Sequence, residues 1–289
     1  MNISENVNIS HLTTFKIGGR VKYLFQPQSI DECLEALHII KNKKLPYFVL
    51  GEGSNVLIGS RDYEGAVLSM LGIDHIEMKD SNIKAGSGMI NTKLSQYAYD
   101  KSIKGFEFMY RMPGSVGGST LMNARCFGSS MSDVINEVKT INKSLDVQSI
   151  PVDEIGFGYK KSLFQNRDHI LLEVTFKAEQ GNPEEIEMKM RSNEERRLST
   201  HQYDYPSAGC IFKNNYDLGV ASGKIIDDLG LKGERIGDAE IYEYHGNFII
   251  NNGQASSEDV LQLIQLIQAK AKADKQIDLE CEVQFHGQF

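Results

Sequence analysis

Two glycine-dense segments are the first candidates for chemistry in this chain. Gly51-Glu52-Gly53-Ser54-Asn55 follows the apolar run Tyr47–Leu50, and Met112–Gly118 comes later in the same half. Glycine lets a backbone approach a ligand closely, and successive N–H groups can line an anion-binding concavity. Neither segment matches the dinucleotide fingerprint or the P-loop. The first segment alone is more often a structural turn, but a second one favours a ligand held between two loops.

The second group of candidates lies near the C-terminus. Ser207-Ala208-Gly209-Cys210 places a hydroxyl and a thiol at a small-residue turn, although a single cysteine is usually a small buried apolar residue. A strand predicted over 279–285 puts Glu280 and Glu282 on one face, and from these residues alone a solvated sheet edge is the favoured explanation. Tyr159-Lys160-Lys161 is typical of a basic surface patch, and His245 of a structural histidine.

Helical and strand patterns alternate along the chain and predict an α+β fold. Ser29 to Glu32 has the form of a capping box, and Asn182-Pro183 is a typical helix start. We place a domain boundary in the charged segment after Pro183, which divides the chain into 1–190 and 191–289. The predicted helices cover 30–43, 91–101, 184–197, 220–229 and 258–273, and the predicted strands cover 47–50, 67–70, 83–86, 248–250 and 279–285.

Composition excludes several classes of function. The formal net charge of −8 argues against a nucleic-acid partner, because such affinity depends on cationic residues. No apolar run approaches the length that spans a bilayer, and the N-terminus has no export signal. The four cysteines are far apart, which is typical of reduced cytoplasmic thiols, and no motif indicates a metal. We therefore expect a cytoplasmic protein with neither a membrane nor a metal site, and nothing indicates an obligate protein partner.

Five segments in this order resemble the UDP-N-acetylenolpyruvoylglucosamine reductase family of bacterial peptidoglycan synthesis. The resemblance covers nearly the whole chain and begins at His11–Gly19. Each segment is a weak signal alone, and their shared order makes the resemblance specific. The segments are Leu50–Asn55, Met112–Gly118 with Met122-Asn123-Ala124, Gly158–Ser162, Ser207–Asn214 and Leu279–Val283.

The resemblance implies a two-part FAD-binding region of the vanillyl-alcohol-oxidase (PCMH) type, with subdomains at about 1–65 and 66–190, and a C-terminal α+β substrate domain over 191–289. It also implies non-covalent FAD, NADPH as hydride donor, and the reduction of UDP-N-acetylglucosamine enolpyruvate to UDP-N-acetylmuramate. The implied FAD-binding residues are Gly51, Gly53, Ser54 and Asn55 at the pyrophosphate and Ser115, Val116, Gly117, Gly118, Asn123 and Ala124 at the flavin.

The resemblance further assigns the chemistry to three side chains. Cys210 falls at the proton donor, where many members have serine, and Lys160 falls where many have arginine. Glu282 completes the pair that polarises the substrate carboxylate. A thiol is a stronger acid than a hydroxyl, so Cys210 suits the role of proton donor, whereas lysine lacks the planar fork of arginine. The implied substrate-binding residues are Tyr159, Lys213, Asn214 and Arg235.

Two alternatives remain open from the sequence. A flavin-dependent oxidase of a sugar or lactone belongs to the same superfamily, but residues 49–65 contain no histidine or cysteine that could tether FAD. A non-catalytic nucleotide-binding or interaction module is a different class, and it would be colourless when purified. A yellow protein that releases FAD on denaturation would exclude that module.

Overall fold

In this computed structural model, which describes residues 1–289, two helices begin at the capping residues that the sequence predicts. Ser29 Oγ accepts from the Glu32 N–H at 3.2 Å, and Asn182 Oδ1 accepts from the Glu184 N–H at 2.9 Å. Ser256 forms a further capping box. The helices are α1 (Ile30–Asn42), α2 (Asn91–Asp100), α3 (Val116–Leu121), α4 (Pro183–Ser199), α5 (Ser222–Asp228) and α6 (Ser257–Lys275).

Short strands form most of the remaining regular structure, as an α+β chain requires. They are β1 (Asn2–Asn8), β2 (Arg20–Gln26), β3 (Tyr47–Leu50), β4 (Val56–Ile58), β5 (Tyr63–Ser69), β6 (Ile76–Lys79), β7 (Asn82–Gly86), β8 (Ile103–Lys104), β9 (Arg125–Cys126), β10 (Ser129–Ser130), β11 (Ile135–Asn142), β12 (Val147–Pro151), β13 (His169–Lys177), β14 (Glu179–Gln180), β15 (Ser207–Cys210), β16 (Arg235–Ile236), β17 (Ala239–Ile241), β18 (Phe248–Asn251) and β19 (Gln284–His286).

Contacts divide the chain into two units, each with its own core. The first unit comprises 1–4, 24–52 and 66–196. Its main sheet is antiparallel with the order β12-β11-β13-β7-β6, and β3 pairs in parallel with β5 over Ala66–Ser69. Phe106 and Phe176 meet edge to face at 5.6 Å within the core.

The second unit comprises 5–23, 53–65 and 197–289. Its antiparallel sheet has the order β15-β18-β17-β16, and β19 pairs in parallel with β4. The side chains predicted to face inward on α6, namely Val260, Leu263, Ile264 and Ile267, are all buried there. None of the six helices combines the length and the apolarity needed to cross a lipid bilayer.

The predicted strand over 279–285 is wrong for most of its length. Only Gln284–His286 is a strand, and residues 276–280 are irregular. The segment is instead held by separate bonds to another loop: the Glu282 N–H donates to Ile211 O at 2.7 Å, and the Lys213 N–H donates to Glu280 O at 2.9 Å. Glu280 and Glu282 therefore do not share an environment, because Glu280 is exposed and Glu282 is buried.

The contact units group segments 5–23 and 53–65 with the C-terminal residues. The proposed division at residue 190, with subdomains at about 1–65 and 66–190, was drawn from sequence motifs and remains a prediction. The break in contacts at 196 falls within α4, the charged helix in which that boundary was placed.

Candidate active site

The two glycine loops meet at Gly51 and Ser115 in the first unit. A Cβ atom at Gly51 would lie 2.2 Å from Ser115 Oγ, so the backbone of one loop touches the side chain of the other. The Gly114 N–H donates to the Glu52 carboxylate, which adds a second link. Burial raises the pKa of Glu52, and the Gly114 hydrogen bond opposes that rise. The sequence prediction that these loops act together is supported by their direct contact.

Ser115 begins α3, and the loop before the helix is held against the segment after β7. The Val116 N–H donates to Met89 O and the Gly117 N–H donates to Ser87 O, both at 2.8 Å. A Cβ at Gly117 would lie 2.8 Å from Ser87 Cβ, so any larger residue would displace Ser87. Gly118, by contrast, is exposed and has room for a side chain. This packing explains Gly117, which lets two backbone segments approach closely.

Ser87 carries a buried hydroxyl whose oxygen has no hydrogen-bond partner, although the residue is only 2% exposed. Buried polar groups in proteins are nearly always paired, and an unpaired one indicates a ligand or water that completes it. Ser87 lies against Gly117, one of the predicted FAD-binding residues. The glycine cradle and this hydroxyl together fit a flat, phosphorylated cofactor such as FAD.

Asn123 links the C-terminal end of α3 to the turn that carries Lys160. Its side chain accepts from the Ser132 N–H at 3.0 Å and donates to Gly158 O at 3.0 Å. Ser162 Oγ donates to Leu121 O at 2.6 Å, which fixes the other side of the turn. The predicted flavin-binding segment Ser115–Ala124 and the predicted Lys160 turn are therefore neighbours in the first unit.

Lys160 adopts a left-handed backbone with φ of 53°, and its carbonyl accepts from Gln165 Nε2 at 2.9 Å. Lys160 and Tyr159 are both half-buried, whereas Lys161 is exposed. The side chains of Asn123, Ser162 and Gln165 fix the turn around Lys160 by hydrogen bonds. A basic patch that is only solvated has no need of such a strained, fixed turn. Lys160 is thus better placed than Lys161 for a specific contact.

The second unit holds Gly53, Ser54 and Asn55, the remainder of the first glycine loop. Gly53 has φ of 68°, and a Cβ there would lie 2.5 Å from Leu12 O. Thr14 Oγ1 donates to Ser207 O at 2.7 Å, and the Thr14 N–H donates to Gly53 O at 3.2 Å. Thr14 therefore joins the predicted phosphate loop to the strand that ends at Cys210.

Cys210 and Glu282 lie on two segments joined by backbone hydrogen bonds. The residue after Cys210, Ile211, accepts from the Glu282 N–H at 2.7 Å. Asn55 Nδ2 donates to Glu282 O at 3.2 Å, and Asn55 O accepts from the Gln284 N–H at 2.9 Å. Glu282 is 8% exposed and Cys210 is half-buried. The structure thus gathers a carboxyl, a thiol and part of the first glycine loop within one unit.

The predicted diphosphate-binding cations have carboxylate partners. Lys213 Nζ pairs with Glu280 at 2.6 Å, and Arg235 pairs with Glu240. Asn214 Oδ1 accepts from the Ser222 N–H at 2.9 Å, which fixes the start of α5. Exposed pairs of this kind are weak, so an incoming phosphate can compete for either cation.

Sequence reasoning missed Ser87, Thr14 and Glu52 as site residues. Ser87 lies in Gly86-Ser87-Gly88, a third small-residue turn directly after a strand, which resembles the glycine loops in composition. Glu52 lies within the first glycine loop, but the sequence gives it no role, because a carboxylate does not bind phosphate. Thr14 gives no local signal, since its partners are 39 and 193 residues away. No cluster of three or more His, Cys, Asp or Glu side chains is placed to hold a metal ion.

Comparison with known proteins gives consistent matches along the chain. Residues 21–147 match an FAD-binding domain model, and residues 201–286 match the model of the UDP-N-acetylenolpyruvoylglucosamine reductase C-terminal domain. The mixed helix and strand content and these two matches confirm the predicted fold class, an α+β chain with an FAD-binding region and a separate C-terminal domain.

Relatives of known name match nearly the full length. UDP-N-acetylenolpyruvoylglucosamine reductases from Clostridium kluyveri and Caldanaerobacter subterraneus are 35% and 36% identical, over 96% of this chain and 90% and 91% of theirs. The crystal structure of the Thermus caldophilus reductase has a TM-score of 0.85 and 31% identity, with 99% of both chains covered.

Proposed function

This chain belongs to the UDP-N-acetylenolpyruvoylglucosamine reductase family, and on that premise we propose that it reduces UDP-N-acetylglucosamine enolpyruvate to UDP-N-acetylmuramate with NADPH, in peptidoglycan precursor synthesis. The observation that carries the proposal is the contact of two glycine loops at Gly51 and Ser115. The glycines at this contact leave the loop backbones open to close approach, which a phosphorylated planar cofactor requires.

FAD is the cofactor, and when bound it supplies the hydride transfer from NADPH to the enolpyruvyl double bond. We assign the pyrophosphate to Gly51, Gly53, Ser54 and Asn55. We assign the flavin to the second loop and the end of α3. The residues of that second group are Ser115, Val116, Gly117, Gly118, Asn123 and Ala124.

Cys210 donates the proton that completes the reduction. Hydride adds to C3 of the enolpyruvyl group, and the thiol proton goes to C2, so one C=C bond is replaced by two C–H bonds. An unperturbed thiol has a pKa of about 8.5, so it releases a proton far more readily than a serine hydroxyl. Cys210 is half-buried, which shields the transfer while leaving a route for solvent to reprotonate the sulfur.

Lys160 and Glu282 act on the substrate carboxylate. Negative charge that arrives at C2 spreads into this carboxylate, and a fixed ammonium group nearby stabilises it. The αL turn around Lys160 and its bond from Gln165 hold the lysine in place, and Glu282 is held by Ile211 and Asn55. Lysine makes fewer directed bonds than arginine, so the rigid turn compensates for a less specific head group.

The substrate diphosphate is assigned to Lys213, Asn214 and Arg235, and Tyr159 is assigned to the sugar. The ion pairs of Lys213 with Glu280 and of Arg235 with Glu240 keep both cations oriented before the substrate arrives. Lys213 and Arg235 therefore provide local positive charge for an anionic substrate, although the chain as a whole carries a net charge of −8.

We further propose a cytoplasmic location and activity without an obligate protein partner. A proton-donating thiol has to stay reduced, and cytosolic conditions keep cysteines in that form. The domain division at residue 190 stands as part of the same proposal.

Anaerobic mixing tests the proposal. The purified protein is expected to be yellow, to lose its flavin absorbance with NADPH, and to regain it when UDP-N-acetylglucosamine enolpyruvate is added, with UDP-N-acetylmuramate as product. Flavin that NADPH does not reduce, and that loses its absorbance with a sugar or lactone instead, would favour the oxidase alternative.

A further inference from the structure

A third small-residue turn lies beside the second glycine loop, and its one side chain has no role in the assignments above. The turn is Gly86-Ser87-Gly88, which we call the serine turn, and it begins with the last residue of β7 in the first unit. The hydroxymethyl group of Ser87 is the only side chain that this turn carries. Any polar contact from a side chain of the turn therefore has to come from Ser87.

Backbone hydrogen bonds hold the serine turn in place on both sides of Ser87. The Ser87 N–H donates to Leu172 O of β13 at 2.9 Å, and Ser87 O accepts from the Gly117 N–H at 2.8 Å. The Gly88 N–H donates to Ile73 O at 2.8 Å. With its backbone fixed in this way, Ser87 can move its hydroxyl only by rotation about the Cα–Cβ bond, among three staggered positions.

The two glycines of the serine turn are packed against neighbouring backbone. A Cβ at Gly86 would lie 2.2 Å from Ile73 O, and a Cβ at Gly88 would lie 2.1 Å from Met70 O. Neither position can take a side chain without displacing backbone atoms. The turn is therefore a rigid support, and Ser87 occupies a defined place in it.

The Ser87 hydroxyl has no hydrogen-bond partner in the protein, although the residue is only 2% exposed. A hydroxyl can donate one hydrogen bond and accept two, and an unpaired one in the interior destabilises the fold. Gly117 packs directly against Ser87, and it has no side chain that could serve as a partner. Gly117 belongs to the loop to which the flavin is assigned.

We propose that the Ser87 hydroxyl donates a hydrogen bond to the flavin ring system of bound FAD. The inference rests on the proposed function, because that function assigns the flavin to the loop that contains Gly117. A flavin ring carries carbonyl oxygens and ring nitrogens that accept hydrogen bonds, and such bonds tune its electronic properties. The pyrophosphate, the other strong acceptor in FAD, is assigned to the first glycine loop.

Ser87→Ala tests the bond, because it removes the hydroxyl and keeps the Cβ. FAD titrated into the full-length apoprotein should bind the variant about tenfold more weakly, as flavin fluorescence measures. The absorption bands of the bound flavin should shift, because the ring loses a hydrogen bond. The Tm of the apoprotein should stay the same or rise by about 2 °C, because the variant no longer buries an unpaired hydroxyl.

Ser95→Ala is the matched control. Ser95 is also a buried serine, 1% exposed, and its hydroxyl likewise has no partner in the protein. It lies on α2, outside every segment that is assigned to FAD. The dissociation constant of FAD should therefore stay at the wild-type value, and a loss equal to that of Ser87→Ala would overturn the proposal.

Further outcomes separate the role of Ser87 from the proposed function. An unchanged FAD dissociation constant in Ser87→Ala would overturn the proposal. A lower Tm of its apoprotein would do the same, because the hydroxyl would then stabilise the protein itself. Adenosine diphosphate, which lacks the flavin, should bind Ser87→Ala as it binds the wild type, and a tenfold loss for this probe would refute the bond to the ring. Tenfold weaker FAD binding in a protein that cannot reduce the enolpyruvyl substrate would support the role of Ser87 and refute the reaction.

Discussion

Gly51 lies so close to Ser115 that a single added carbon would come within 2.2 Å of the serine hydroxyl oxygen. Ser115 is itself fixed, because it is the N-cap of α3 and is almost fully buried. The serine cannot turn away without giving up that cap. This one contact joins two sequence segments that are more than sixty residues apart, and it makes the cradle testable.

Gly51→Ala is expected to weaken FAD binding about tenfold, because overpacking a rigid site costs on the order of 1–3 kcal/mol. The effect should be measured as the dissociation constant of FAD, from flavin fluorescence during refilling of the apoprotein. Ser115→Ala removes the clashing oxygen, and its Cβ would stay 3.4 Å from the new methyl group. The double variant should therefore bind FAD better than Gly51→Ala alone, and strictly additive losses would argue against the contact.

Thr14→Val should lower thermal stability. The hydroxyl that bonds Ser207 O at 2.7 Å is lost, and one buried hydrogen bond contributes about 1 kcal/mol. For a chain of this size we expect a fall in Tm of about 2 °C, followed by the release of flavin on heating. Thr14→Ser keeps the hydroxyl and should keep more of the stability than Thr14→Val does. A Tm for Thr14→Val equal to that of the wild type would show that the bond to Ser207 O contributes nothing.

Glu282→Gln should lower kcat about a hundredfold, which is the usual cost of removing one polar group from its contact with the reacting part of the substrate. The loss of flavin absorbance with NADPH should proceed at the wild-type rate, because Glu282 is assigned to the second half of the reaction. Glu77→Gln is the control, since Glu77 is exposed on β6, has no role in the proposed site and should leave kcat unchanged. A uniform slowing of both half-reactions in Glu282→Gln would point to a general loss of structure.

Glu173 gives a pH-dependent prediction for stability. Burial disfavours its carboxylate, but bonds from His75 Nε2 at 2.7 Å and Lys139 Nζ at 3.0 Å outweigh that cost and lower its pKa. A lowered pKa means that the stabilisation is present above the ordinary value of about 4.3 and disappears as pH falls through the folded-state pKa. Glu173→Gln should therefore lose about 2 kcal/mol at pH 7 in urea unfolding and match the wild type at low pH. A difference that persists unchanged to pH 3 would contradict this assignment.

Five of the six helices, and the starts of α1 and α4, were predictable because their signals are local. Ser29 and Asn182 lie within three residues of the N–H groups they bond, whereas the short α3 inside the second glycine segment was not predicted. The glycine loops were predictable as a candidate ligand-binding site because two glycine-dense segments in one half of the chain are hard to explain as turns alone. The contact of Gly51 with Ser115 places the two loops side by side, and their role as a cofactor site stays a prediction.

Long-range partners explain what the sequence could not predict. The alternation in Leu279-Glu280-Cys281-Glu282 indicates a strand, but the pairing is limited to a single antiparallel bridge between Cys281 and the distant Phe212. The partners of Glu173 lie 98 and 34 residues away, and nothing near any of them marks the ion pairs.

The role of Cys210 is tested most directly by single-turnover kinetics. Wild type, Cys210→Ser and Cys210→Ala, each first bleached with one equivalent of NADPH, are mixed anaerobically with UDP-N-acetylglucosamine enolpyruvate while flavin absorbance is followed. The account predicts rapid recovery for the wild type, slower but clear recovery for Cys210→Ser, and almost none for Cys210→Ala. Recovery of Cys210→Ala at the wild-type rate would contradict the account, because the proton would then come from another group.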